Sequence, residues 1–215
     1  TLTDSGDGAL DVSNITTTPA LDVNVTDAAT TLNGVVIAVD ASGSTQAITI
    51  NTAVANKNFT GGSASDGVNF SGSGAYTGTL TSIETFTTAN ATSFDAGLLD
   101  GQTIDFDGAG NITITGMSGS ENLSNVSSSG GGTLIADLTG TVNLTGSLHT
   151  DLVLNLSADS ATLNASAAKI TGQNVTDGST NTVVNVSALD ATLNAQLQNI
   201  AADSVTAAFD NTGTF

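Results

Sequence analysis

The chain has no cysteine and no arginine, and its 215 residues include only two lysines and one histidine. Without cysteine it can form neither disulfides nor thiolate metal sites, and it cannot use a thiol in catalysis. Against 20 acidic residues, the two lysines leave a formal net charge of −18. Phosphate backbones and anionic lipids are bound mainly by Lys and Arg, so this charge argues against nucleic-acid partners and membrane-surface binding.

The shortage of basic residues also limits catalysis. A Ser-His-Asp triad depends on His149, the single histidine, and no Gly-x-Ser-x-Gly motif is present. We expect His149 to be a turn residue beside Asp151. Asp105 and Asp107 lie two residues apart and would face the same side of a strand, as a carboxylate pair of a glycan-cleaving enzyme does. Such lyases generally also use Arg or Lys, so we predict that the chain is not an enzyme.

No apolar run approaches the 18 or so residues of a membrane span, so we expect no membrane insertion. The chain begins without Met and without a basic segment followed by an apolar run, which is typical of a fragment or a matured product. The acidity and the absence of cysteine together favour a bacterial surface protein. We therefore predict an extracellular location on the cell surface.

What the chain does contain is β-branched, small and turn-forming residues. Apolar residues alternate with polar ones in short runs, for example Val35, Ile37 and Val39, and later Leu152, Leu154 and Leu156. This period of two predicts strands with one buried face. Near-helical spacing of leucines occurs only at 188–202, and there a strand is favoured over a helix.

An internal repeat indicates how the strands are arranged. Residues 152–181 align without gaps on 182–211, and both copies contain Ala-Thr-Leu-Asn-Ala. Repeats of about 30 residues with strand patterning predict stacked coils, so we expect an all-β fold, a β-solenoid of the parallel β-helix or β-roll type. Stacking at this spacing would place three pairs of side chains one above the other: Asn155 and Asn185, Asn164 and Asn194, Leu163 and Leu193.

This repeat divides the chain into two predicted regions. Residues 121–215 form the repeat solenoid. Residues 1–120 alternate without an alignable repeat, and we expect either degenerate coils of the same solenoid or a sandwich-like β region.

Calcium is the cofactor that the acidic residues suggest, because Ca²⁺ takes oxygen ligands. Asp105, Asp107 and Asn111 match part of an EF-hand-like loop, although the loop lacks its final Glu. Asp66 follows Gly61-Gly62 and resembles one copy of a calcium β-roll nonapeptide without a tandem neighbour. We predict these four residues as possible calcium ligands, with plain turns as the alternative.

Several short phrases resemble a known class of proteins: Thr81-Ser82-Ile83-Glu84-Thr85-Phe86, Ser118-Gly119-Ser120-Glu121-Asn122-Leu123, the Ala-Thr-Leu-Asn-Ala repeats and the Gly-Gly-x-x-x-Asp turn at Gly61. Over most of residues 60–211 the chain resembles bacterial S-layer proteins and giant adhesins of the calcium-repeat, type I secreted class. The resemblance implies a β-solenoid or β-roll body, export without cleavage of an N-terminal signal, and calcium-assisted assembly.

We therefore expect a structural surface protein that associates with copies of itself into an S-layer lattice or a filament. The exposed ends of a solenoid and the small number of surface charges favour this function. A second hypothesis is an adhesin or other binding module, including an ice-binding solenoid with a flat Thr-x-Thr face. A glycan-active β-helix enzyme is the least favoured hypothesis.

Overall fold

The structure is a computed structural model and describes residues 2–4, 8–16, 19–189 and 199–209. Over these residues the chain forms a β-solenoid of about nine turns, with nearly all strands parallel. The predicted all-β solenoid is confirmed. The strands are β1 (Leu2–Asp4), β2 (Gly8–Asp11), β3 (Ala20–Val25), β4 (Thr30–Val35), β5 (Ala38–Asp40), β6 (Ile48–Thr52), β7 (Phe59–Thr60), β8 (Gly67–Phe70), β9 (Gly74–Tyr76), β10 (Leu80–Thr81), β11 (Thr85–Thr88), β12 (Thr92–Asp95), β13 (Ile104–Phe106), β14 (Ile112–Thr115), β15 (Asn122–Leu123), β16 (Val126–Ser127), β17 (Leu134–Leu138), β18 (Thr141–Leu144), β19 (Ser147–Leu148), β20 (Val153–Leu156), β21 (Thr162–Ser166), β22 (Asn174–Asp177), β23 (Val183–Leu189) and β24 (Ser204–Phe209).

Two one-turn helices interrupt the strands, α1 (Ala96–Leu99) and α2 (Ala167–Ile170). Asp95 caps α1, since its Oδ1 accepts a hydrogen bond from the backbone N–H of Gly97 at 2.9 Å. The sequence analysis did not predict either helix. The helix considered at 188–202 lies largely outside the described residues, and Leu189 ends β23 as a strand. Neither helix in the described part of the chain is long enough to cross a membrane.

The chain forms two compact units. The first, unit 1, takes its residues from 1–94, 102–112 and 128–132. It contains one sheet of five strands in the order β1, β3, β5, β7 and β10, and a second in which β2, β4, β6, β8, β11 and β13 follow one another. In this unit β9 also pairs with β12. Because all these pairings are parallel, inward-facing residues of one coil lie over inward-facing residues of the next, and outward-facing residues over outward-facing ones.

The core of unit 1 is aromatic. The rings of Phe86 and Phe94 lie 5.1 Å apart between centroids, and Phe94 lies 5.1 Å from Phe106. Tyr76 is buried in the same cluster and donates its hydroxyl proton to the carbonyl oxygen of Lys57 at 2.8 Å. Burial raises the pKa of Tyr76 well above its ordinary value. Six of the chain's eight aromatic residues thus lie in this one cluster: Phe59, Phe70, Tyr76, Phe86, Phe94 and Phe106.

Unit 2 takes its residues from 95–101, 113–127 and 133–215, and its core is aliphatic. One of its sheets contains β14, β17, β20 and β22 in that order, and another contains β18, β21, β23 and β24. Strands β15 and β19 form a small third sheet. The division of the chain that the sequence analysis placed at residue 120 stays a prediction. Within 1–120 the pairings described for unit 1 are parallel, as the degenerate-coil alternative expects.

The stacking predicted from the 30-residue spacing is wrong. Asn155 does not lie over Asn185: it bonds to Asp137, 18 residues before it, and to Thr176, 21 residues after it. Asn185 bonds instead to Asn164, again 21 residues away. Leu163 pairs with Val184, while Leu193 and Asn194 lie outside the described residues. A coil in these sheets is therefore shorter than the sequence repeat.

Candidate functional site

Asp66 is the most enclosed of the predicted calcium ligands. Its side chain is 1% exposed, and both carboxylate oxygens accept backbone hydrogen bonds, Oδ1 from the N–H of Ile48 and Oδ2 from the N–H of Gly62, each at 2.6 Å. Its own backbone N–H donates to Oε2 of Glu84 at 2.7 Å. Burial raises the pKa of Asp66, the two N–H donors oppose that rise, and the charge of Glu84 adds to it. The carboxylate therefore ties together backbone segments of adjacent coils.

Asp105, Asp107 and Asn111 lie further along unit 1. The Asp105 carboxylate accepts hydrogen bonds from the backbone N–H of Ser129 at 3.0 Å and from the Ser129 hydroxyl. Asp107 and Asn111 are exposed, and the backbone N–H of Asp107 donates to the carbonyl oxygen of Phe86. The Asp105 carboxylate holds the turn at Ser129, which belongs to the next coil.

The predicted calcium ligands do not form a carboxylate cluster in the described part of the chain. Within the described residues, no three carboxylate or imidazole side chains come close enough to hold one ion. Calcium needs six to eight oxygen ligands, whereas both oxygens of Asp66 already accept backbone N–H groups. The geometry of these carboxylates thus gives no support to calcium at these positions, and calcium binding stays a prediction.

His149 is a turn residue, as expected. Its Nδ1 lies 3.3 Å from Oδ2 of Asp151 and accepts the backbone N–H of Asp151 at 3.2 Å. Its carbonyl oxygen accepts the N–H of Leu152, which closes the turn before β20. No serine hydroxyl is bonded to this ring in the described part of the chain.

A ladder of asparagine side chains follows the outer face of unit 1. Nδ2 of Asn51 donates to Oδ1 of Asn33 at 2.6 Å, and Nδ2 of Asn69 donates to Oδ1 of Asn51 at 2.8 Å. Each step covers 18 residues, which is one coil. Strands β4 and β6 read Thr-x-Asn, at Thr31 and Thr49, so a threonine column runs parallel to the amide column.

Unit 2 repeats this arrangement. Nδ2 of Asn164 donates to Oδ1 of Asn143, and Nδ2 of Asn185 donates to Oδ1 of Asn164, both at 2.8 Å and at 21-residue spacing. The strand register continues the column to Thr206 on β24. The first two strands again read Thr-x-Asn, beginning at Thr141 and Thr162. The flat Thr-x-Thr face expected of an ice-binding solenoid is thus replaced in these columns by threonine and amide.

A groove lies along each amide ladder. The groove in unit 2 measures about 700 Å³ and is lined by Asn143, Leu144, Thr145, Asn164, Ala165, Ser166, Lys169, Asn185, Val186, Ser187, Thr206 and Ala208. The groove in unit 1 measures about 580 Å³ and runs past Asn51, Asn69 and Thr87. Neither lining contains a carboxylate, in a chain that has 20 acidic residues. The two grooves are therefore neutral apart from one lysine.

The outer edge of unit 2 exposes the end of a core column. The register places Val142, Leu163, Val184 and Val205 above one another. Val184 is fully buried between its neighbours, whereas Val205 on β24 is 47% exposed. Among the described strands, β24 pairs only with β23, and all the residues from Ser204 to Ala208 are exposed. This edge combines an apolar side chain with a row of backbone groups that face outward.

Stacked asparagines were predicted at Asn164 and Asn185, but with the wrong partners, because the longer repeat set the alignment; the ladder of unit 1 was not predicted. The signal for both ladders was present: Thr-x-Asn triplets recur at 18 residues in β4 and β6, and at 21 residues in β18 and β21. No family model, curated protein or solved structure is significantly similar to this chain. The resemblance to S-layer proteins and adhesins consequently stays a prediction.

Proposed function

We propose that the chain is a structural segment of an extracellular surface protein, and that copies associate end to end into filaments. The observation that carries this proposal is the edge at β24, where a buried apolar column ends at Val205 with its side chain half exposed. An edge strand of a parallel sheet presents unpaired N–H and C=O groups, and it pairs readily with another strand.

A second edge with matching properties lies in unit 1. There β2 is the last strand of its sheet and pairs only with β4 among the described strands. Its residue Leu10 continues the core column of Leu32 and Ile50 and is half-buried, not fully enclosed. Contact of β24 in one copy with β2 in the next joins two different surfaces. Such a heterologous contact repeats without closing when its rotation does not form a ring, and it then produces a filament.

Charge and polarity support a passive structural role. The chain has a net charge of −18, so copies repel each other through most of their surfaces. The β24 edge is different, because its exposed residues from Ser204 to Ala208 carry no charge. These five residues therefore add no charge repulsion to a contact between copies at this edge. The predicted location on a bacterial cell surface belongs to the same proposal, as does the absence of catalysis.

The test is to measure by light scattering how the average molar mass of the wild type and of two variants changes with protein concentration. Wild-type protein is expected to grow in mass as its concentration rises. Val205→Lys places a charge in the apolar column and is expected to keep the protein monomeric. Thr139→Lys adds the same charge at an exposed position between β17 and β18 and should assemble as the wild type does.

Two outcomes would overturn the proposal. One is a wild-type protein that stays monomeric at all concentrations, which would mean that β24 does not pair with a second copy. The other is assembly that Val205→Lys leaves unchanged. Circular dichroism of both variants shows whether the solenoid is intact, so that a loss of assembly is not mistaken for unfolding.

A further inference from the structure

We infer that the groove along the amide ladder of unit 2 is a binding site for a linear, neutral polysaccharide. The lining of this groove is regular. Asn143, Asn164 and Asn185 present the same amide once per coil, and Thr145, Ser166 and Ser187 line the groove beside them. Neighbouring strands of a sheet are about 4.8 Å apart. That spacing is close to the advance per sugar unit in an extended glycan, so a polymer meets equivalent groups repeatedly.

The amides of the ladder keep hydrogen-bonding capacity for a ligand. An asparagine amide has two N–H donors and two acceptor lone pairs. In the ladder Asn164 donates one N–H to Asn143, and its side-chain oxygen accepts one N–H from Asn185. A second N–H and a second lone pair stay available at this amide, held in fixed directions. Sugar hydroxyls both donate and accept, so they match such paired groups.

The charge of the groove also favours a neutral ligand. The lining contains no carboxylate and a single cation, Lys169, on α2. Its Nζ donates to the Ser147 hydroxyl at 3.3 Å, and in the described part of the chain it forms no ion pair. An ammonium group has three N–H donors, so Lys169 can also donate to hydroxyl or ring oxygens of a ligand. The net charge of −18 opposes a polyanion, which favours a neutral chain over an acidic one.

The groove also has a suitable size. Its volume of about 700 Å³ lies within the range usual for ligand sites, roughly 300–1,000 Å³. Leu144, Ala165 and Val186 also belong to its lining, but each is buried in the core, so a ligand would be held mainly by the polar columns. The inference does not depend on end-to-end association, since each copy has the whole groove.

The experiment uses the full chain at concentrations where it is monomeric. A panel of neutral linear hexasaccharides of different linkages is titrated while the side-chain amide signals of the asparagines are followed by NMR. We expect at least one member to shift the signals of Asn143, Asn164 and Asn185 with millimolar or better affinity. An oligogalacturonate serves as the acidic probe and should bind more weakly.

Two variants separate binding from structure. Asn164→Leu removes a ladder amide inside the groove and should weaken binding about tenfold or more, which corresponds to losing one or two hydrogen bonds. Asn155→Leu removes the amide that bonds to Asp137 and Thr176, outside the groove lining, and should leave affinity unchanged. The inference is overturned if no neutral hexasaccharide shifts these signals, if the acidic probe binds more tightly, or if both variants bind like the wild type.

Discussion

The buried carboxylate of Asp66 allows the sharpest prediction about stability. Asp66→Asn keeps the size of the side chain but replaces one acceptor oxygen with an NH₂ group. Both oxygens of Asp66 accept backbone N–H groups, from Ile48 and from Gly62, so one of these donors would face another donor. The substitution therefore removes a charge-assisted hydrogen bond and leaves a buried N–H without an acceptor.

The expected cost follows from these two losses. A hydrogen bond to a charged group contributes about 1.5–3 kcal/mol, and an unsatisfied buried donor costs about 1–3 kcal/mol. Removing the buried charge offsets part of this, because a neutral amide is less costly to bury than a carboxylate. We expect Asp66→Asn to lower the free energy of unfolding by about 2–4 kcal/mol at neutral pH.

The assay is urea denaturation followed by circular dichroism, with Asp107→Asn as the matched control. Asp107 is exposed, so the same chemical change there should alter stability by less than about 0.5 kcal/mol. The reasoning is refuted if the two variants unfold at the same urea concentration. Such a result would mean that the Asp66 carboxylate does not hold the adjacent coils together.

Three further predictions concern close packing, the aromatic core and pH. Gly130→Ala should destabilise the chain, because a Cβ there would clash with the backbone nitrogen of Gly108, whereas at Gly131 it would meet nothing within 4 Å. Thermal unfolding should show a lower midpoint for Gly130→Ala and an unchanged midpoint for Gly131→Ala. Phe86→Ala should cost about 3–5 kcal/mol in urea denaturation, because the ring is fully buried among aromatic neighbours. Burial raises the pKa of Asp66 above 3.8, so the folded chain binds the proton more tightly than the unfolded chain does. The stabilisation that results is fully present below pH 3.8 and is lost as the pH rises through the raised pKa of the folded state. The difference in unfolding midpoint between wild type and Asp66→Asn should accordingly shrink over that interval.

Each of these three predictions can be contradicted. Equal midpoints for the two glycine variants would mean that the coils tolerate a Cβ at Gly130. A loss below about 1 kcal/mol for Phe86→Ala would show that the aromatic cluster repacks. A midpoint difference that grows with rising pH would mean that the two N–H donors, and not burial, dominate the pKa of Asp66.

Much of the strand pattern could be predicted from the sequence, because alternation depends only on which side of a strand faces the core. Leu152, Leu154 and Leu156 are buried as that pattern requires, and the turn at His149 was also expected. These features are local, so a short window of residues contains the information that determines them.

The coil length could not be predicted in the same way, because it depends on which distant residues bond to one another. The identical Ala-Thr-Leu-Asn-Ala segments favoured a 30-residue spacing, whereas the amide of Asn164 bonds 21 residues away in both directions. Asp66 was likewise interpreted as a calcium ligand, since only the fold shows that its oxygens accept the N–H groups of Ile48 and Gly62.

The central claim is that copies stack through the β24 edge, and electron microscopy tests it most directly. Concentrated wild-type protein should form filaments both with and without a calcium chelator, and their diffraction should show the strand spacing of about 4.8 Å along the filament axis. Val205→Lys should give dispersed particles under the same conditions. Dispersed wild-type particles, or filaments that Val205→Lys forms equally well, would contradict the account.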